Sequence, residues 1–194
     1  KLTVSRFVLT IAFLVAVFSS FAYHETVALL LFVVASLTDL LDGIIARRHK
    51  LITNFGILMD PLADKILTCS AFIAFVGEQG EYRMAAWMVA IIVARELAIT
   101  GLRLLAANKQ VVLAAEGFGK YKTIAQIVAI ISVLVLTSYP QWGNPGHLIF
   151  GFQVFDKPWV AWFTEIAIWL AVLLTFISGW LYLWRNRGIY LQDM

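Results

Sequence analysis

Apolar and polar residues follow one another along this chain in long blocks, not in the short periods of a soluble fold. Six apolar blocks lie at about 4–23, 25–48, 54–77, 84–107, 118–139 and 158–184. Each is close to the roughly 20 residues a helix needs to cross a hydrocarbon core of about 30 Å. Polar or turn-rich joints separate them at His24-Glu25, 47–50, 78–83 and 108–117, with a longer connection over 140–158. The pattern predicts an all-α polytopic membrane protein with six transmembrane helices and no internal repeat or low-complexity tract.

Cationic residues in the joints set the orientation. Lys1, Arg6, Arg47, Arg48, Lys50, Arg103, Lys109, Lys120, Lys122, Arg185 and Arg187 fall on one side of the six spans, and only Arg83 and Lys157 on the other. Both termini are therefore expected in the cytoplasm. Trp142, Trp159, Trp162, Trp180 and Trp184 lie near span ends, where amphipathic rings settle at the interface. Arg6 before an apolar stretch with small residues after it also fits a secretory signal, but the length of 7–22 and the charge pattern favour a first span.

Composition strengthens this picture. Of 194 residues, 61% are hydrophobic and 14% charged, with a mean hydropathy of +0.85. A soluble domain would carry about 25% charge. No polar stretch is long enough to fold alone, so 1–194 reads as a single domain. Because the chain starts at Lys1, its natural N-terminus is expected to be missing. Cys69, the only cysteine, excludes an internal disulfide and reads as core filler. The net charge of +3 comes from the basic joints, without the aromatic-interleaved surface of a nucleic-acid binder. A positive cytoplasmic rim would attract anionic lipid head groups.

Four aspartates interrupt the second and third blocks: Asp39, Asp42, Asp60 and Asp64. A charge at mid-membrane costs at least about 2.5–3.5 kcal/mol, so such residues default to function. Only Arg47 and Lys65 lie close enough in sequence to compensate them. Divalent cations are the alternative, since hard oxygen ligands suit Mg²⁺, Mn²⁺ or Ca²⁺. Asp39 and Asp42 are i, i+3 on one helix, and Asp60 and Asp64 are i, i+4 on the next, so each pair shares a helix face. At 1.5 Å per residue both pairs lie roughly 9–15 Å below the cytoplasmic surface, which brings them to one level. Gly43, Ala46 and Gly56 are small residues beside these faces. They serve close helix packing or the approach of a bulky ligand.

Written out, 39–64 read DLLDGIIARRHKLITNFGILMDPLAD. The string resembles the signature of the CDP-alcohol phosphotransferase family, D-x2-D-G-x2-A-R, eight residues, then G-x3-D-x3-D. Asp39, Asp42, Gly43, Ala46, Arg47, Gly56, Asp60 and Asp64 fill its fixed positions. The resemblance implies the family's six-helix fold and two metal ions, Mg²⁺ or Mn²⁺, held by Asp39, Asp42, Asp60 and Asp64. It makes Asp64 the general base on the incoming hydroxyl as well. Gly43, Ala46 and Gly56 would lie against the cytidine nucleotide and Arg47 near its phosphates, with further nucleotide-side contacts around Thr3. The family also implies a homodimer. Its chemistry is consistent with the residue types, because metal ions stabilise the charge that builds on attacked and leaving oxygens.

The acceptor alcohol is set outside this signature. Residues 95–103 read RELAITGLR and 117–123 read GFGKYKT. Arg103, Lys120 and Lys122 form a cationic wall at the cytoplasmic end of the fourth and fifth spans, with Arg95 deeper. Such a wall suits an anionic acceptor, although positive-inside topology explains the first three residues as well. Arg95 has an ion pair with Glu96 or another carboxylate as its alternative role. These strings, with LTVSR at the start, resemble the family members that join CDP-diacylglycerol to sn-glycerol 3-phosphate. That likeness implies that Arg95, Arg103, Lys120 and Lys122 bind the acceptor phosphate.

Other signals are weak. GFGKYKT lacks the first glycine and the Ser/Thr of a Walker A loop, with Ala114 and Tyr121 in those places. His24, His49 and His147 are dispersed, and Glu116 and Glu165 read as structural. The rival readings are the same chemistry with inositol phosphate, serine or phosphatidylglycerol as acceptor, an intramembrane prenyltransferase, and a divalent-cation transporter. A transporter would more often show a repeated half with broken helices.

Overall fold

The computed structural model describes residues 2–49, 65–77, 84–108 and 118–188, with side chains described over 5–38, 65–77, 84–107 and 119–188. Its described helices are α1 (Leu2–Val17), α2 (His24–His49), α3 (Lys65–Ala74), α4 (Ala86–Asn108), α5 (Phe118–Ser138), α6 (Gly143–Phe150) and α7 (Trp159–Arg185). A 3-10 turn, Tyr139–Trp142, joins α5 to α6, and a two-stranded hairpin precedes α7.

Four expected blocks, 25–48, 84–107, 118–139 and 158–184, match α2, α4, α5 and α7 to within two residues at both ends. The first block, expected over 4–23, is shorter, because α1 stops at Val17. Residues 18–23 reverse the chain, with Tyr23 at φ 64° just before α2. The first part of the third block lies outside the described residues, and its helix gives way to a turn at 75–77. The long connection is more structured than its Pro and Gly content suggests. Pro145 sits in the first turn of α6, where a missing N–H breaks no helical bond. Gln153–Val154 pairs antiparallel with Lys157–Pro158 around a two-residue loop in which Phe155 takes φ 59°.

The helices pack in pairs, α1 on α2, α2 on α5, α5 on α7 and α4 on α7, the last running parallel, with Trp87 beside Trp169, Arg95 beside Ser178 and Arg103 beside Tyr182. Phe13, Phe32, Phe72, Ile92, Ile130 and Ile168 are fully buried at the centre. Small residues let α7 approach its neighbours: Thr164, Ala167, Ala171, Thr175, Ser178 and Gly179 form a buried stripe down one side. Its other side carries Ile166, Trp169, Leu173, Phe176 and Trp180, all about half exposed. A soluble protein rarely leaves so continuous an apolar face open to water. The stretches 119–150 and 159–185 are each long and apolar enough to cross a membrane. Threonine hydroxyls inside the helices bond back to carbonyls four residues earlier, as Thr10 does to Arg6 at 2.9 Å and Thr164 to Val160 at 2.8 Å. Their polarity is thereby met without water. This is a helical membrane protein.

Polar contacts gather at the two ends of the bundle. At the hairpin end, Trp142 Nε1 donates to Thr26 Oγ1 at 2.9 Å, and Gln141 Nε2 to Glu25 Oε2 at 3.2 Å. These bonds latch the start of α2 to the turn after α5. Nearby, Glu165 accepts from Lys157 Nζ at 2.8 Å, in keeping with its structural reading. The opposite end holds the close of α2 and α4, the start of α5 and Lys65 on α3.

Candidate functional site

Glu96 organises that opposite end. It lies on α4 with 3% of its surface exposed, and its carboxylate faces cations from three helices. Lys122, at the first turn of α5 and 5% exposed, donates directly to Glu96 Oε1. Lys65, the first described residue of α3, places Nζ 3.5 Å from Glu96 Oε2 and donates to the Glu96 carbonyl at 3.2 Å and to Thr100 Oγ1. Arg95 Nη1 lies 3.5 Å from Glu96 Oε1, while its Nη2 donates to Ser178 Oγ on α7 at 3.3 Å. Gln126, one turn beyond Lys122, reaches Glu96 Oε1 at 3.4 Å and Thr175 Oγ1 at 3.1 Å.

Helical spacing explains this convergence. Glu96, Thr100 and Arg103 recur at i, i+4, i+7 along α4, Lys122 and Gln126 are i, i+4 on α5, and Thr175, Ser178 and Tyr182 are i, i+3, i+7 on α7. Each polar stripe faces the others and leaves lipid to the apolar sides. Gly179 makes room for Arg95: a Cβ there would stand 2.7 Å from Arg95 Cγ. Buried charges of this kind persist only when paired and hydrogen-bonded, and each one here is.

The residues expected to bind an acceptor phosphate divide into three places. Arg95 and Lys122 meet at Glu96. Arg103, exposed, donates from Nε to the Tyr182 hydroxyl at 3.3 Å, with its guanidinium 5.5 Å from that ring. Lys120 is exposed although Lys122 is buried, because residues two apart on a helix point about 200° apart. Sequence reasoning left Lys65, Thr100, Gln126, Thr175, Ser178 and Tyr182 out of the site. The signal was present as polar residues recurring at helical spacing within apolar blocks.

Of the expected metal and nucleotide residues, Asp39, Asp42, Gly43, Ala46 and Arg47 occupy the last three turns of α2, and Thr3 lies in the first turn of α1. Gly56, Asp60 and Asp64 lie outside the described residues. Lys65 follows Asp64 in the chain, so the Glu96 cluster begins one residue after the signature ends. Among the described residues no three His, Cys, Asp or Glu side chains gather as a metal site. His24 packs edge-on to Phe21 and His147 to Tyr139.

Comparison with known proteins places this arrangement. The family model described as CDP-alcohol phosphatidyltransferase matches residues 1–177. A CDP-diacylglycerol–glycerol-3-phosphate 3-phosphatidyltransferase of Bacillus subtilis (strain 168) is 43% identical over 158 residues, 81% of this chain and 72% of the relative. Proteins of the same name from Rickettsia felis and Cereibacter sphaeroides are 32% and 31% identical, covering 93% and 86% of this chain and 90% and 83% of their own lengths. A helical membrane bundle that carries the aspartate signature at the end of α2 and matches the family model over nearly its whole length belongs to the CDP-alcohol phosphatidyltransferase family.

Proposed function

We propose that this protein transfers the phosphatidyl group of CDP-diacylglycerol to sn-glycerol 3-phosphate, giving phosphatidylglycerophosphate and CMP. The observation that carries the acceptor half of this reading is the convergence of Lys65, Arg95 and Lys122 on Glu96, one residue beyond Asp64. Three cations held on rigid helices suit a phosphorylated alcohol better than a neutral one such as serine. The names of the relatives support the same pair of substrates.

In this reading the acceptor hydroxyl attacks the β-phosphorus of the CDP-lipid, the bond from that phosphorus to the bridging oxygen breaks, and CMP leaves with the electron pair. Asp64 takes the hydroxyl proton. Asp39, Asp42, Asp60 and Asp64 are hard oxygen donors and would hold two divalent ions, Mg²⁺ or Mn²⁺. Bound there, the ions supply charge neutralisation at the pyrophosphate. Gly43, Ala46, Gly56, Arg47 and Thr3 line the nucleotide side. Lys65, Arg95 and Lys122 orient the acceptor phosphate, and Arg103 guides it from the exposed edge. Lys120, exposed on α5, would join Arg103 at that edge.

The chain would form one six-span catalytic unit in a bacterial cytoplasmic membrane, with both termini and the site on the cytoplasmic side, and would act as a homodimer. The test is CMP release from CDP-diacylglycerol with glycerol 3-phosphate against plain glycerol, inositol phosphate and serine. Turnover should require divalent metal and the acceptor phosphate and be lost in Asp64→Asn. Arg103→Ala and Lys122→Gln should raise KM for glycerol 3-phosphate far more than for the CDP-lipid. Equal losses for both substrates, or full turnover of plain glycerol, would refute the assignment.

A further inference from the structure

Between α5 and α7, at the hairpin end of the bundle, the chain turns a run of apolar side chains outward. Leu148 on α6 is 83% exposed, Ile149 and Phe152 are more than half exposed, and Phe155 is 94% exposed. Phe155 holds the left-handed position of the hairpin turn at φ 59°, a strained place for an aromatic residue. A ring so exposed makes few contacts within the chain that could offset the strain.

The polar groups of this segment are met from inside. The last carbonyls of a helix lack partners within it, and in a water-facing loop solvent supplies them. Here Trp159 Nε1 donates to the Ile149 carbonyl at 2.8 Å, at the close of α6, and Trp162 Nε1 donates to the Val154 carbonyl in the hairpin at 3.1 Å. The Trp159 amide donates to the Phe152 carbonyl at 3.0 Å. Both indoles therefore spend their N–H on the backbone, the condition for bringing irregular chain toward hydrocarbon. Lys157, the nearby cation, is paired with Glu165. Position identifies what lies outside. The 21 residues of α5 rise about 31 Å, the thickness of a hydrocarbon core of about 30 Å, so 139–158 stands where the core gives way to head groups. Phe150 and Trp159 share a hollow with Val128 on α5 and Phe163 on α7, so the segment adjoins the outward apolar side of those helices and continues it. That side is the one the bilayer covers.

We infer that residues 146–156 form an interfacial element that lies along the bilayer surface, with Leu148, Ile149, Phe152 and Phe155 inserted among the outermost acyl segments. Its partner is a lipid surface, engaged through apolar area and not through head-group charge. The element stands at the far end of the bundle from the Glu96 cluster and has no part in the transfer reaction.

The experiment is collision electron paramagnetic resonance on the full chain in phosphatidylcholine nanodiscs. Nitroxides are placed one at a time at Leu148→Cys and Phe155→Cys in a Cys69→Ala background, with Ile166→Cys on the outward side of α7 as the lipid reference. At 148 and 155, as at 166, collisions with oxygen should exceed those with a water-soluble nickel chelate several-fold. Adding phosphatidylglycerol should leave those ratios unchanged. An excess of nickel collisions at 148 and 155 would place the segment in water, open to a soluble partner, and overturn the inference. Oxygen ratios that rise only with anionic lipid would overturn its apolar basis. Dipolar broadening between two chains labelled at 155 would make the surface a subunit contact and sink it too. On the unaltered protein, a photoactivatable group near the glycerol end of an acyl chain should label 146–156. Labelling of α7 without labelling of 146–156 would refute the insertion with no variant involved. None of these readouts depends on turnover, so they stand or fall separately from the proposed reaction.

Discussion

Replacing Glu96 by alanine removes the one carboxylate on which Lys65, Arg95 and Lys122 converge. The Glu96–Lys122 pair is the most enclosed, with side-chain exposures of 4% and 7%. Breaking such a pair from one side costs about 3–5 kcal/mol, because the surviving charge stays buried without its partner. For a chain of this length each kcal/mol moves the melting temperature by about 2–4 °C, so Glu96→Ala should melt about 6–20 °C below wild type. Glu96→Gln keeps an acceptor for Lys122 and Gln126 and should lose roughly half as much. The assay is thermal unfolding in nanodiscs, run on Glu96→Ala, Lys122→Met and the double variant. Once Glu96 is gone, removing Lys122 as well relieves stranded charge, so the double variant should be more stable than the sum of the single losses by at least about 1 kcal/mol. A melting temperature of Glu96→Ala within a degree or two of wild type, or strict additivity in the cycle, would show that Glu96 does not hold the cluster together.

Gly179→Ala places a methyl 2.7 Å from Arg95 Cγ, where contact needs about 3.5 Å or more, so Arg95 must move by about 1 Å. Steady-state kinetics should show at least about a tenfold loss of kcat/KM for glycerol 3-phosphate with little change for the CDP-lipid; a parallel loss for both would contradict this. Trp142→Phe deletes the bond to Thr26 and should cost about 1 kcal/mol in thermal unfolding while leaving both KM values unchanged. The Glu165 carboxylate beside Lys157 holds its ammonium above the ordinary lysine value through a hydrogen bond and charge attraction. A raised folded-state value gives stability that is complete below the unfolded value and fades as pH rises through the folded one. Lys157→Gln should therefore melt slightly below wild type at neutral pH and converge with it in strong alkali, a small difference for so exposed a pair.

The sequence made the membrane helices legible because apolar length is a strong signal: α2, α4, α5 and α7 lie within two residues of the expected blocks. The spaced motif put Asp39 and Asp42 on one helix, and both lie on α2; less was legible where only tertiary packing decides. Arg95 and Glu96 are neighbours in the chain, and nothing local says which would become the buried hub and which its partner. Lys120 and Lys122 read as one basic run, yet the helical period separates them, a consequence available from sequence but hidden by the strength of the charge signal. The hairpin after α6 was invisible for a different reason. Its loop is Phe155-Asp156, without the Asn-Gly that usually marks so tight a turn, and Phe155 at φ 59° is held there by context alone. The early end of α1 has the same origin in Tyr23, a non-glycine residue at positive φ.

The fully buried middle of the bundle, where Phe13 and Phe32 meet with ring centroids 5.7 Å apart and Phe72, Ile92, Ile130 and Ile168 close the remaining space, separates the charged end from the latched end. Chemistry on ionic substrates demands a wet cleft, and a wet cleft in a membrane is a potential leak. With this hydrocarbon plug beneath it, water that enters beside Glu96 meets a dead end, so ionic groups can stay wet at one end of the bundle without a path opening to the other.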